Sequence, residues 1–117
     1  MRHLKKGKKF SRKRDQRRAL LKNLAAQVIL KEKIITTPAR AKEARKVVER
    51  LITIAKKQNL AALRELKRYL PARAVKKAYF ELAPLYQKRH GGYTRIVRLL
   101  KRRIKDNSEQ AILELVK

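Results

Sequence analysis

The chain has 117 residues, one small domain's worth, and carries 35 Lys and Arg against 9 Asp and Glu, a formal net charge of +26 that points to a polyanionic partner. Having no cysteine excludes disulfides, thiolate metal sites and cysteine nucleophiles, and 44% hydrophobic residues are too many for a wholly disordered basic tail. No run of about 18 apolar residues exists to cross a membrane, and the basic start is not followed by the apolar stretch of a signal peptide.

Met1 to Arg14 forms the first unit. Arg2, His3, Lys5, Lys6, Lys8, Lys9, Arg12, Lys13 and Arg14 stand there without an acid, and Leu4 and Phe10 are its only large apolar residues after the initiator. Neither a helical nor a strand period is visible, so the segment reads as a basic RNA-binding arm, residues 1–14, ordered on its partner. Residues 15–117 are expected to form one globular domain. A helix is predicted from near Asp15, where Leu20, Leu21, Leu24, Val28 and Ile29 make one apolar stripe. Arg17, Arg18 and Lys22 lie on or beside its other face. The β-branched run Lys33-Ile34-Ile35-Thr36 predicts a strand. Thr37 then reads as an N-cap and Pro38 as the first residue of a second helix. That helix turns Ala41, Ala44, Val47, Val48, Leu51, Ile52 and Ala55 inward and leaves Glu43 and Glu49 outside among basic residues.

Gln58-Asn59 interrupts the pattern. Leu60, Leu63, Leu66 and Leu70 predict a short third helix, which Pro71 separates from a fourth. The fourth carries Val75, Ala78, Tyr79 and Leu82 and is expected to end near Pro84. Residues 85–92 make a basic connection closed by Gly91-Gly92. Tyr93 to Leu100 reads as a strand with Thr94, Ile96, Arg98 and Leu100 on one side, and Gln110 to Val116 reads as a last strand. The polar link Lys101 to Glu109 suits an antiparallel hairpin. The fold class expected is α/β in two layers, in the order helix, strand, three helices, two strands. The helices cover one side of a small three-stranded sheet, and the basic arm extends from it.

Nothing in the chain converges on catalysis. The carboxylates are scattered, and those on helices have Lys or Arg three or four residues away. His3 and His90 lack a second ligand at metal spacing, and Ser11 and Ser108 lack a base and its orienter. No enzyme activity, cofactor, metal or small-molecule substrate is expected. Three basic constellations remain. The arm is the first. The second runs from Tyr86 to Lys105 through Lys88, Arg89, Arg95, Arg98, Lys101, Arg102, Arg103 and Lys105, with no acid between Glu81 and Asp106. Within it, Gly91-Gly92 permits positive φ and close approach, Tyr93 is placed to stack on an unpaired base or to hydrogen-bond through its hydroxyl, and Arg95 to grip a phosphate; the alternative is that Tyr93 packs on the helices and the glycines merely turn the chain. The third is Thr36-Thr37 at a helix N-terminus, with Arg40, Lys42, Arg45 and Lys46 behind it. It is suited to phosphate contact, although simple capping is the stronger explanation of the two.

Several segments together resemble a known family. Met1-Arg2-His3, Gly7-Lys8-Lys9-Phe10-Ser11-Arg12, Ile34-Ile35-Thr36-Thr37 followed by Ala41-Lys42-Glu43, Gly91-Gly92-Tyr93-Thr94-Arg95-Ile96 and the closing Glu114-Leu115-Val116 occur in order. Over nearly the whole chain this resembles bacterial large-subunit ribosomal protein 17. The resemblance implies a cytoplasmic, structural constituent of the large ribosomal subunit. It would bind large-subunit ribosomal RNA and neighbouring ribosomal proteins on the solvent side near the peptide exit region, with no membrane partner. The chain departs from the pattern before the last strand, where Lys105-Asp106 stands for the usual Gly-Asp and Asn107-Ser108-Glu109-Gln110 for a small proline-containing stretch. A hairpin loop that differs in shape or in its neighbour is expected there. A nucleoid or DNA-bending protein shares the electrostatics but lacks here a helix-turn-helix or dimer seam. A cationic membrane-active protein would concentrate its charge on one helix face.

Overall fold

The computed structural model describes residues 10 and 12–117. Its elements follow the predicted order: α1 (Arg14–Lys31), β1 (Lys33–Thr36), α2 (Pro38–Ala55), α3 (Leu60–Tyr69), α4, β2 (Thr94–Arg98) and β3 (Ala111–Leu115). Helix α4 is a continuous stretch made of Ala72–Lys76, a π-helical Lys77–Leu82 and a final Ala83–Leu85.

Local chemistry sets the boundaries. Glu32 ends α1 in the left-handed region (φ 68), its amide reaching the Val28 carbonyl at 2.7 Å. Thr37 caps α2, its hydroxyl accepting from the Arg40 amide at 3.4 Å, and Pro38 follows as the first helical residue. Asn59 caps α3 by accepting from the Ala62 amide at 2.7 Å. The fourth helix ends at Leu85, beside Pro84 as expected, and a π-turn leads into that end. In an i→i−5 pattern Pro84 stands where the Tyr79 carbonyl would receive an amide, and proline has none to give. Gln58 supplies it instead: its side-chain nitrogen donates to the Tyr79 carbonyl at 2.8 Å and to Ala55 at 2.9 Å.

The sheet order is β1-β3-β2, both pairings antiparallel, so the last strand is central and β2 is an edge. One face carries Ile34, Leu113 and Ile96 in register, with Ala111, Leu115 and Thr94 beside them, against α1 and α2. Leu51, Ile52, Ile29 and Leu113 are fully buried there. Each such side chain contributes about 1.5–3 kcal/mol, and truncating central Leu113 to Ala would cost about 2–5 kcal/mol. The other face bears the row Ile35, Ile112, Val97 and, next to it, Lys33, Glu114, Arg95.

Some inward assignments shift. Leu20, Leu21 and Leu24 are only half-buried, while Ala25 beside them is fully buried. Leu60 points outward, because α3 rests on the core through Ala62 and Leu66. Strand β2 closes at Arg98, so Leu100 lies beyond the strand in which it was expected beside Thr94, Ile96 and Arg98, and it is wholly exposed.

Candidate nucleic-acid interface

The Gly91-Gly92 turn uses positive φ at both residues (91 and 64). It delivers Tyr93 to the interior rather than to a ligand. Tyr93 is 3% exposed, with its ring centroid 5.1 Å from that of Tyr86. The expected stacking of Tyr93 on a base is therefore corrected: its faces are covered by the fold. Lys56 donates to the Tyr93 hydroxyl at 3.0 Å and to the Arg89 carbonyl at 2.6 Å, tying the end of α2 to the turn. Burial pushes the Tyr93 phenol up, but hydrogen bonds involving Lys56 and the Gly91 backbone outweigh it and leave the group below its ordinary value. Tyr86 is raised by burial, and its hydroxyl donates to the Val116 carbonyl.

Glu49 has more than the outer-face role expected of it. Its carboxylate accepts from the Tyr93 amide at 3.1 Å, the Thr94 amide at 3.1 Å and the Thr94 hydroxyl at 2.9 Å. It thereby seats the start of β2 on α2. A carboxylate on the polar side of a helix carries no sign of such a partner in sequence.

The basic strip after the turn is continuous in sequence but compensated in space. Arg95 pairs with Glu114 across the β2–β3 ladder. Arg98 and Arg102 share Glu109 at 3.9 and 3.3 Å, and Arg103 holds Asp106 at 2.6 Å. Hydrogen bonds from Arg103, then from the Ser108 amide, hold the Asp106 carboxyl well below the usual carboxylate range. The hairpin loop closes on that pair, and Asn107 takes the left-handed position (φ 56). Lys88, Arg89, His90, Lys101 and Lys105 remain exposed.

The α2 constellation and the glycine turn come together. Lys42, Arg45, Lys46, Gly92 and Ile96 line one groove between α2 and β2, with Glu43 and Glu49 at its side. A second depression continues it past Thr37, Pro38, Lys42 and Arg98 to the hairpin loop. Thr36 and Arg40 are half-buried beside it. Glu43 answers Lys46 at 3.3 Å and Glu49 answers Arg45 at 3.9 Å, which leaves Lys42 as the cation common to both depressions. Arg17 is half-buried and Arg18 exposed on α1, away from this groove. Of the arm, Arg2, His3, Lys5, Lys6, Lys8 and Lys9 lie outside the described residues. Arg12 donates to the Phe10 carbonyl at 3.0 Å, Lys13 precedes α1 and Arg14 is its first residue. Among the described residues no cluster suits a metal ion, and no helix is long and apolar enough to cross a membrane.

This geometry offers exposed cations around shallow grooves, each carboxylate nearby engaged by an arginine, a lysine or a backbone amide. It suits an extended polyanion better than a small reactant. A family model described as ribosomal protein L17 matches residues 20–116. The chain belongs to the ribosomal protein L17 family. Among ribosomal protein L17 relatives, the large ribosomal subunit protein bL17 of Hydrogenobaculum sp. (strain Y04AAS1) is 50% identical over 117 residues, 99% of each chain. Those of Sulfurihydrogenibium sp. (strain YO3AOP1) and Fusobacterium nucleatum subsp. nucleatum are 47% and 45% identical, each over 99% of this chain and 97% and 100% of their own.

Proposed function

We propose that the chain is a structural constituent of the large ribosomal subunit, acting in the cytoplasm by binding large-subunit ribosomal RNA through its basic surfaces and abutting neighbouring ribosomal proteins. The observation that carries this reading is the 50% identity over 99% of both chains with a large ribosomal subunit protein. The charge of +26 supports it. As a member of a family of structural ribosomal proteins, the chain is not an enzyme. The globular part supplies shape, and the cations around the α2–β2 groove and the hairpin neutralise phosphates where RNA segments converge. The basic residues before α1 add to that charge. Arg95, Arg98, Arg102 and Arg103 exchange their carboxylate partners for phosphates, or hold both, since each arginine side chain is about half exposed or more. Base-specific contacts are few, because the aromatic side chain best placed by sequence, Tyr93, is buried.

The test is the salt dependence of binding to large-subunit ribosomal RNA fragments. Neutralising about eight to ten phosphates lowers affinity about a thousandfold or more between about 50 and 200 mM salt. A flat response overturns the electrostatic mechanism. Failure of the chain to sediment with the large subunit overturns the assignment.

A further inference from the structure

One cleft lies away from both the hairpin and the α2–β2 groove. It opens between α1, α2 and α3 and has a volume of about 410 Å³, within the range of about 300–1,000 Å³ usual for small-ligand sites. Its rim is cationic: Arg18 and Lys22 come from α1, Arg50 from α2 and Arg68 from α3. Its floor is apolar, made by Leu21, Val47 and the buried Leu51, and Tyr69 walls one side. The Lys22 ammonium spans the wall, 5.3 Å from the Tyr69 ring centroid and 3.5 Å from the Arg68 carbonyl.

Charge accounting separates this cleft from the hairpin arginines and from Arg45 and Lys46 on α2. The hairpin arginines and the α2 cations Arg45 and Lys46 each have a carboxylate partner. Among the described residues, none of Arg18, Lys22, Arg50 and Arg68 has one, and no carboxylate lines the cleft. Four cations converging without an acid repel one another, and an anion placed between them relieves that repulsion. A phosphate alone would leave the apolar floor in water. A paired base in a duplex shows only its edges, whereas an unstacked base offers a flat apolar face.

Resting on the RNA-binding reading above, we propose that this cleft receives a single unstacked nucleotide of the bound RNA, its base on the Leu21, Val47 and Leu51 floor beside Tyr69. Its phosphate lies between the guanidinium groups of Arg50 and Arg68, whose planar forks match phosphate oxygens.

The experiment compares the full chain and two double variants on two RNAs, a hairpin carrying one bulged nucleotide and the same hairpin without it. Arg50→Ala/Arg68→Ala removes two exposed cations of the cleft. Lys57→Ala/Arg64→Ala removes the same charge from exposed positions elsewhere. The unaltered chain is expected to prefer the bulged RNA by about tenfold, the scale of one base seated on a protein surface. The cleft variant loses that preference and the control keeps it. In parallel, adenosine monophosphate is expected to shift the amide resonances of Val47 and Leu51 more than inorganic phosphate or a hexaglutamate peptide does. If the unaltered chain binds both RNAs equally, the nucleotide site is wrong while RNA binding stands; if it binds neither, the RNA reading itself fails. Equal shifts with inorganic phosphate reduce the cleft to an anion patch, and larger shifts with hexaglutamate assign it to an acidic protein; either overturns the proposal.

Discussion

Glu49→Ala is the substitution whose effect differs most from what its place on a helix exterior suggests. The carboxylate accepts three hydrogen bonds, from the amides of Tyr93 and Thr94 and from the Thr94 hydroxyl. Both donor residues are 3% exposed, so water reaches the vacated donors poorly. A hydrogen bond to a charged acceptor contributes about 1.5–3 kcal/mol net, and a buried donor left unmade costs about 1–3 kcal/mol. Allowing partial rehydration through the Glu49 side, which is 23% exposed, the loss comes to about 2–4 kcal/mol. That is a large part of the roughly 5–15 kcal/mol a domain possesses. For a domain of this size it lowers Tm by about 8–16 °C. Glu49→Gln keeps an acceptor but not the charge and should lose about 1 kcal/mol. Thermal melts followed by far-UV circular dichroism, with urea midpoints beside them, give both numbers. A cycle with Thr94→Val should show a coupling of about 1 kcal/mol. A Glu49→Ala loss below about 0.5 kcal/mol, the ordinary range for surface positions, would refute the reasoning and return Glu49 to the solvated face. Measured well below the transition, Glu49→Gln should bind RNA no more weakly than the unaltered chain, since it removes a negative charge from the groove beside Arg45.

Tyr93→Phe removes the hydroxyl that accepts from Lys56 and should cost about 1 kcal/mol while leaving RNA affinity unchanged; a selective loss of affinity, measured by fluorescence anisotropy, would restore Tyr93 as a ligand contact. Lys56→Ala should destabilise for the same reason and through the lost bond to the Arg89 carbonyl. Gly91→Ala and Gly92→Ala meet no atom within 4 Å of the added carbon, so each should cost only the strain of positive φ, about 1–2 kcal/mol, readable as a shift in urea midpoint. Hydrogen bonding to Lys117 first, and then to Lys77, holds the Glu32 carboxyl below its ordinary 4.5. Its stabilising contribution is therefore present above that value and is lost as pH falls through the lowered one. Glu32→Gln should flatten this acid limb in a plot of urea midpoint against pH, and an unchanged limb would show that other carboxylates set it.

Helix positions were legible because their signals are local. Thr37-Pro38, Asn59 and the α2 stripe act within one turn of chain, and they stand where periodicity placed them. The π-turn before Pro84 was not legible, because the group that satisfies the carbonyl it leaves open, the Gln58 amide, lies 21 residues away in sequence. The hairpin was anticipated, but its register was not. Ending the strands at Leu100 and Gln110 would set Arg95 opposite Leu115, whereas the observed register sets it opposite Glu114. A slip of one residue exchanges the faces of a strand, and here it also decides whether the arginine is bare or paired.

The same reasoning explains why a linear reading ranked the cationic surfaces differently from the fold. Along the chain, residues 82–105 contain no acid and stand out. Folding brings Asp106, Glu109 and Glu114 back onto them, because the partner strand follows the loop. Arg18, Arg50 and Arg68 each read as one more charge on a solvated helix face, and only the packing of α1, α2 and α3 brings them around one cleft without a carboxylate. Ligand affinity follows the field at a point, which depends on distance in space and on who neutralises whom. For a chain this basic, total charge identifies the class of partner. The carboxylates, fewer and placed by strand register and helix packing, decide where that partner is held.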